Sequence, residues 1–216
     1  VNGLNTYLFK DYFGNVKIMA VSGGLSVLYS LITFAITQPL ADKLGKKEWC
    51  CWGAGFAAAV FALLFFFPIH NPVLFIVING VCYLGASGMQ VLIWAMVNDS
   101  IDYHELQTGE RNEGIVYSTY SFFRKLASAV SGSLSSFVLG FIGYNVAEGA
   151  MQTAEVSNAI WKSYTGIYVL GYGVAVAILF FVYPLTKAKT TEMLEQLKSR
   201  RAEKASAVET DGEQCP

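Results

Sequence analysis

The chain has 216 residues, of which 54% are hydrophobic and only 14% are charged. A soluble domain carries about a quarter of charged residues, so these figures nearly exclude a soluble enzyme and favour a protein that lies in a lipid bilayer. The 15 basic and 16 acidic residues balance each other, which argues against a nucleic-acid partner, because such a protein needs a basic face to displace counterions.

Five apolar runs are long enough to cross a bilayer as helices, which takes about 20 mostly apolar residues each. They cover about Val16 to Pro39, Trp49 to Ile69, Pro72 to Val97, Ile115 to Ile142 and Tyr164 to Leu185. Residues 1–13 are short and aromatic, and we interpret them as the end of a sixth helix whose body is missing. The sequence therefore predicts an all-α membrane protein, with five full transmembrane helices in residues 14–187 plus the end of a sixth.

The distribution of positive charge predicts the orientation of these helices. Lysine and arginine residues gather in the loop of residues 40–48 and from residue 187 onward. Because cytoplasmic loops carry the excess of such residues, we expect a multi-pass protein of the cell membrane with a cytoplasmic C-terminus. In the tail of residues 188–216, Met193, Leu194 and Leu197 predict an amphipathic helix on the membrane surface. Disorder is expected beyond it, from residue 208.

The loop between the first two predicted spans carries a short charged motif. Its sequence is Asp42-Lys43-Leu44-Gly45-Lys46-Lys47. A glycine between charged residues suits a tight turn, and the lysines suit an anchor at the cytoplasmic surface of the membrane. On physical grounds alone, the motif needs no function beyond that anchor.

The third predicted span carries polar side chains, and a charged cluster follows its end. Gln90 and Trp94 are candidate sugar contacts, because an amide binds hydroxyl groups and an indole face stacks on a sugar ring. The cluster consists of Asp99, Asp102, Glu105, Arg111 and Glu113. A turn at Thr108-Gly109 would bring the arginine back to the acids for charge-assisted hydrogen bonds; a merely solvated loop is the alternative. No histidine or cysteine completes a ligand set, so no metal site is predicted.

Two adjacent cations lie inside the fourth predicted span, where charge is expensive and by default functional. Arg124 and Lys125 lie about ten residues into the span, roughly 15 Å along a helix axis. Lys125 shares one helical face with a polar row that contains Ser118, Ser121, Ser128, Gly132 and Ser135. Arg124 is turned toward a second row that contains Tyr117, Tyr120, Ser131 and Ser135. These rows would either line water or pack small residues against another helix.

The charged cluster resembles a known family. The run from Asn98 to Gly114, NDSIDYHELQTGERNEG, followed by Tyr117-Ser118 and Lys125, resembles the loop between the tenth and eleventh helices of the glycoside-pentoside-hexuronide:cation symporters. This family belongs to the major facilitator superfamily, whose inner-loop motif is similar to Asp42–Lys47. The segment from Gly140 to Tyr144 and the tail pattern Thr191-x-Met193-x-x-x-Leu197 also fit.

The resemblance implies the C-terminal half of a twelve-helix transporter: residues 1–13 would end helix seven, and residues 14–187 would form helices eight to twelve. The implied function is cation-coupled symport of a sugar or glycoside, in which two six-helix bundles rock about a midplane site. The implied partners are the substrate, the lipid bilayer and the N-terminal half. No cofactor is implied, and the coupling cation, Na⁺, Li⁺ or H⁺, would bind acids of the missing half.

The resemblance also implies roles for particular residues. Lys125 matches a lysine near the cation and sugar sites, while Gln90 and Trp94 fall on a face that borders the sugar cavity. Four neighbours of Lys125 are assigned to the same vicinity: Arg124, Tyr117, Ser121 and Ser128. The charged cluster matches residues that help to close the cytoplasmic side: Asp99, Asp102, Glu105, Arg111 and Glu113. Two other functions stay open, a same-fold transporter of a lysolipid or other amphipath and a membrane interaction subunit without transport.

Overall fold

The computed structural model describes residues 2–145, 147 and 152–212, and this part of the chain is helical without strands. The prediction of an all-α protein is therefore confirmed. In chain order, the helices are α1 (Asn2–Tyr7), a π-helical turn (Leu8–Tyr12), α2 (Val16–Leu44), α3 (Lys46–Phe66), α4 (Pro72–Ala86), α5 (Gly88–Thr108), α6 (Glu113–Phe141), α7 (Ala154–Phe181) and α8 (Lys187–Gly212).

Four helical stretches in the described part are long and apolar enough to cross a membrane. They are α2, α3, the pair α4 and α5, and α7. The sequence predicted a fifth in the region of α6, which has the necessary length at 29 residues. It is less apolar than the other four stretches, because it contains several serines and the cations Arg124 and Lys125.

The third predicted span is not one regular helix. It divides at Ser87 into α4 and α5, and the serine hydroxyl lies 2.9 Å from Thr33 Oγ1 on α2 and also bonds the Tyr83 carbonyl oxygen. Glycine on both sides, at Gly85 and Gly88, lowers the local helix propensity. The Ser87 hydroxyl gives the Tyr83 carbonyl oxygen a hydrogen-bond donor outside the helical pattern. The break between α4 and α5 therefore forms where Ser87 contacts Thr33 of α2.

The predicted boundaries are wrong at two further places. The last span was expected to begin at Tyr164, but α7 begins ten residues earlier at Ala154, where the Thr153 hydroxyl accepts a hydrogen bond from the Val156 N–H. Such a cap satisfies a backbone donor that the first turn of a helix leaves free. The tail was expected to be disordered from residue 208, but α8 continues to Gly212 because its last turns are rich in alanine and glutamate; residues 213–216 lie outside the described residues.

The main hydrophobic core lies where α3 and α7 pack along each other and against the first turns of the chain. Trp161 is 1% exposed, and its indole N–H donates to the Leu64 carbonyl oxygen at 2.9 Å. The rings of Phe61 and Tyr168 stack at 4.5 Å between centroids. By contrast, α6 lies against α1 and α5 and buries only Ser135 and Leu139. The bundle is therefore densely packed around α3 and α7, whereas most of the surface of α6 is not covered by other helices of this chain.

Two glycines allow α3 and α4 to touch at the backbone. A Cβ on Gly53 would lie 2.2 Å from the carbonyl oxygen of Gly85, a group that no rotamer change can move. We expect Gly53→Ala to destabilise the bundle by about 1–3 kcal/mol, the usual cost of overpacking, and to lower the midpoint of thermal unfolding in detergent. Gly55→Ala is the matched control, because nothing lies within 4 Å of its Cβ; equal midpoints for the two variants would contradict the prediction.

Candidate functional site

A cavity of about 940 Å³ lies between α5 and α6, and Gly3 of α1 and Tyr168 of α7 also line it. Helical spacing explains its wall on α6, because residues three and four positions apart share a face. Its polar lining residues include Gln90, Tyr120, Arg124, Ser128, Ser131 and Ser135, and its apolar ones are Met89, Ile93, Phe123 and Ala127. The cavity therefore offers an amide, several hydroxyl groups and one guanidinium to a ligand.

The predicted site residues divide into those that line this cavity and those beside it. Gln90, Arg124 and Ser128 line it. The Trp94 ring meets the Tyr120 ring edge to face at 5.0 Å and lies 6.1 Å from the Tyr117 ring. Trp94 thus supports a cavity residue and does not itself line the cavity. The Tyr117 hydroxyl donates to Asn98 Oδ1 and connects α6 to α5.

Lys125 follows Arg124 but points elsewhere. Successive residues of an α-helix are turned by about 100°, so the two cations cannot face the same way. Lys125 and Ser121 are exposed and are not among the residues that line the cavity. Neither Arg124 nor Lys125 forms an ion pair with any side chain that the structure describes. The structure therefore separates the cations onto two faces of α6.

Sequence reasoning assigned too few residues to the cavity. Tyr120, Ser131 and Ser135 had been placed near Arg124 by helical spacing, and they line the cavity with it. The same spacing could therefore have added them to the site. Gly3 and Tyr168 come from distant parts of the chain, and no local pattern marks them.

A partly buried ion pair joins the inner-loop motif to the charged cluster, with the Lys46 side chain 30% exposed and that of Asp99 8% exposed. Lys46 Nζ lies 2.8 and 2.7 Å from the two carboxylate oxygens of Asp99, a residue that is only 6% exposed. The pair connects the first turn of α3 to α5. The sequence had assigned these residues to two separate features, because they are 53 positions apart in the chain.

The other residues of the inner-loop motif secure helix ends. Gly45 has φ 108° between α2 and α3, a backbone conformation that favours glycine. Lys47 Nζ donates to the Tyr183 carbonyl oxygen at 2.6 Å, just beyond α7. The Lys43 carbonyl oxygen accepts a hydrogen bond from Lys187 Nζ at 2.6 Å. Cations near the C-termini of helices interact favourably with the helix dipole; Asp42 is exposed beside them.

Arg111 binds the acids at the end of α5. Gly109, with φ 79°, ends the helix and turns the chain back. One guanidinium nitrogen of Arg111 then lies 2.6 Å from Asp102 Oδ1 and 2.9 Å from Glu105 Oε2, and Nε donates to Glu113. Four of the five predicted cluster residues thus meet, whereas the fifth, Asp99, pairs with Lys46.

The tail helix α8 docks on this cluster, which the sequence did not predict. Arg201 lies 3.1 Å from Asp102 and also binds Glu105, whose hydrogen bond raises the pKa of the Arg201 guanidinium. Met193 and Leu197 are 3% and 2% exposed and pack near Tyr103 and Leu106. Two of the three apolar residues that predicted an amphipathic helix are therefore covered by protein, whereas Leu194 is 37% exposed. Met193, Leu197 and Arg201 follow one another at intervals of four positions, and this spacing is the sequence signal of the contact.

The described part of the chain holds no group of three or more histidine, cysteine, aspartate or glutamate side chains that could bind a metal ion. Its chemistry is that of hydrogen bonds and ion pairs. Among the described residues that line the cavity there is no histidine, cysteine, aspartate or glutamate. The arrangement suits reversible binding of a polar molecule.

Comparison with known proteins identifies the family. A family model described as "MFS/sugar transport protein" matches residues 1–187. The "Uncharacterized symporter YjmB" of Bacillus subtilis is 32% identical over 195 residues, which cover 90% of this chain and 42% of the relative. The "Isoprimeverose transporter" of Lactiplantibacillus pentosus is 31% identical over 195 residues, covering 89% of this chain and 40% of the relative.

A third relative, the "Glucuronide carrier protein homolog" of Escherichia coli, is 28% identical over 181 residues, covering 82% of this chain and 39% of the relative. The chain spans about two fifths of the length of these curated relatives. The names are those of transporters and not of enzymes. Together with the family model they confirm the predicted relationship to the sugar symporters. Because the family model covers most of the residues, the chain belongs to the MFS/sugar transport protein family and is a multi-pass membrane protein.

Proposed function

We propose that the chain is the C-terminal half of a symporter that moves a sugar or glycoside together with a cation by alternating access. The observation that carries the proposal is the cavity between α5 and α6, whose amide and hydroxyl groups match the hydroxyl groups of a sugar, while its apolar side chains match the apolar faces of the ring. The names of two relatives, a glucuronide carrier homolog and an isoprimeverose transporter, agree with such a substrate.

The open side of α6 supports the proposal that a second bundle completes the transporter. Among its 29 residues only Ser135 and Leu139 are buried, so most of the helix has no protein cover in this chain. An N-terminal six-helix half would cover this side and close the cavity between the two bundles, as in transporters built from two repeats. Residues 1–13 would then end helix seven, and α2 to α7 would supply helices eight to twelve.

In this proposal the substrate and the coupling cation bind to different halves of the transporter. Gln90, Tyr120 and Ser128 bind substrate hydroxyl groups, while the coupling cation, Na⁺, Li⁺ or H⁺, binds acids of the N-terminal half without any cofactor. Lys125, exposed on the open side of α6, pairs with those acids and so makes cation binding and substrate binding depend on each other. Such dependence is a reciprocal free energy between two sites.

The charged cluster would close the cytoplasmic side of the transporter. Arg111 and the acids Asp102, Glu105 and Glu113 form a network at the end of α5, and Asp99 fixes α3 to α5 nearby. The lysines of the inner-loop motif lie at the same end of the bundle, together with α8. Since positive residues mark the cytoplasmic side, we propose that this end and the C-terminus face the cytoplasm.

A flux assay tests the proposed function. The complete transporter is reconstituted in proteoliposomes and given a panel of radiolabelled glycosides under imposed gradients of Na⁺, Li⁺ or H⁺. We expect accumulation of at least one glycoside that depends on one of these gradients and stops when the gradient is collapsed. Movement of lysolipid without any glycoside flux would favour the amphipath transporter, and no flux of either kind would favour an interaction subunit; both results contradict the proposal.

A further inference from the structure

We infer that the Asp11 carboxylate and the Tyr144 hydroxyl form a latch that holds α6 against residues 2–13 and so closes the cavity at the end opposite the charged cluster. The inference rests on the proposed function, in which this end is the outer side of the transporter. It adds the residues that control access to the cavity from that side.

The segment of residues 2–13 lies at one end of the cavity. The residues of α6 that line the cavity extend from Tyr120 to Ser135, and the charged cluster adjoins the start of α6, so Ser135 is the lining residue furthest from the cluster. Gly3 meets α6 at that point, because a Cβ on Gly3 would lie 2.8 Å from Ser135 Oγ and 2.9 Å from Ser135 Cβ. A larger residue would force the two helices apart. Thus α1 forms the end wall of the cavity.

A hydrogen bond joins the same two elements further from the charged cluster. The Tyr144 hydroxyl, three positions after the end of α6, donates to Asp11 Oδ2 at 2.9 Å. The Tyr144 ring also meets the Tyr7 ring edge to face, at 4.9 Å between centroids. Burial and the bond to Asp11 raise the pKa of the Tyr144 phenol to about 12, so the hydroxyl keeps its proton and remains a donor. Hydrogen bonds to a carboxylate are among the stronger ones in proteins.

The segment itself is firmly fixed to the rest of the bundle. Three of its side chains are at most 1% exposed and belong to the main hydrophobic core: Leu4, Leu8 and Phe9. The Ser157 hydroxyl on α7 adds a hydrogen bond to the Asp11 carbonyl oxygen at 3.1 Å. Separation of the segment from α7 would therefore expose core residues to water, which is costly.

The contact of the segment with α6 is smaller and more polar. Among the residues of α6, all of which the structure describes, Leu139 is the one apolar side chain that is buried. Separation at this contact would expose little apolar surface, so burial opposes it weakly, and polar groups that part can bond water instead. The directional bond between Asp11 and Tyr144 is then what favours the closed arrangement. The cavity opens at this end when α6 leaves the segment.

A latch and a static contact differ in what they require during transport. Alternating access exposes the cavity to each side of the membrane in turn, so a latch on its outer end must open once in every cycle. A static contact would stay closed throughout the cycle. A covalent bond across the contact should therefore stop transport only if the contact is a latch.

A reversible cross-link tests this difference. Asp11→Cys and Tyr144→Cys are combined in the complete transporter, in a background without native cysteines, and joined by a short bifunctional methanethiosulfonate. We expect the cross-link to stop glycoside flux in proteoliposomes and dithiothreitol to restore it. Each single-cysteine variant, treated with the same reagent, is the control and should keep its flux. Flux at the level of the single variants, with the cross-link verified by mass spectrometry, would overturn the inference.

Access to the cavity provides a second measurement that needs no substrate. Ser131→Cys places a thiol on the cavity wall one turn from Ser135, and its reaction with a membrane-impermeant thiol reagent added outside intact cells is followed. Tyr144→Phe removes the hydroxyl and keeps the ring, so it should raise the reaction rate by about tenfold, as loss of a hydrogen bond to a charged group does. Tyr7→Phe is the matched control, because it removes a phenol hydroxyl from the same segment and leaves the bond between Asp11 and Tyr144 in place.

The two measurements separate failure of the latch from failure of the proposed function. Equal reaction rates in the wild type, Tyr144→Phe and Tyr7→Phe would overturn the latch, and glycoside flux would be unaffected by that result. Absence of any glycoside flux in the wild type would overturn the proposed function, whereas the reaction rates at Ser131→Cys would still decide whether Asp11 and Tyr144 close the cavity.

Discussion

Replacement of Lys125 by alanine in the complete transporter should abolish accumulation of substrate against its concentration gradient. The side chain is exposed on the open side of α6 and has no ion-pair partner in the described part of this chain. In the proposed mechanism Lys125 pairs with carboxylates of the other bundle. Its loss removes the coupling free energy by which bound cation and bound substrate raise each other's affinity. Uptake driven by an imposed cation gradient is the measurement.

Two further measurements separate loss of coupling from loss of the protein. The amount of Lys125→Ala in the membrane should equal that of the wild type, because removal of a charge at membrane depth lowers the cost of insertion. Exchange of labelled for unlabelled substrate, which needs no net cation flux, should persist in part. Lys162→Ala serves as the matched control. Uphill accumulation by Lys125→Ala at the wild-type level would contradict the assigned role.

The largest expected effect on stability comes from the ion pair between Lys46 and Asp99. Asp99 is 6% exposed, and Lys46 is the residue that pairs with its two oxygens. Lys46→Ala would leave a buried carboxylate without compensation, which costs about 3 kcal/mol or more. We expect a clear fall in the midpoint of thermal unfolding, followed by circular dichroism of the chain in detergent.

A double variant identifies the cause of that fall. Lys46→Met combined with Asp99→Asn removes both charges, and replacement of a whole buried pair is often close to neutral, so it should recover most of the lost stability. Lys43→Ala is the control in the same loop, because Lys43 is exposed and contributes only its carbonyl oxygen to a hydrogen bond. A double variant as unstable as Lys46→Ala would show that packing of the lysine chain, and not its charge, is what matters.

Local sequence patterns predicted most of the helices and the contact of Arg111 with the acids at the end of α5. Apolar runs bounded by charge gave α3 and α6 to within a few residues, because crossing a bilayer sets a minimum length for each run. The sequence also indicated that Arg111 would fold back on the acids of α5, since a Thr-Gly turn and a few residues separate them. These are interactions between positions close in the chain.

Contacts between distant positions could not be predicted in the same way. Lys46 and Asp99 are 53 positions apart, and Arg201 is 99 positions from Asp102; each pairing depends on how whole helices pack. The early start of α7 was missed because Glu155, Ser157 and Asn158 interrupt its apolar character, although Thr153 caps it. The cavity was found only in part, since one wall comes from α6 and the others from α1, α5 and α7.

The network at the end of α5 holds fewer positive than negative charges. Two guanidinium groups, those of Arg111 and Arg201, bind three carboxylates, those of Asp102, Glu105 and Glu113. Asp102 and Glu105 each accept hydrogen bonds from both arginines. Withdrawal of α8, which carries Arg201, would leave a single arginine against three acids, so the docked tail helix and the charge state of this end of the bundle depend on each other.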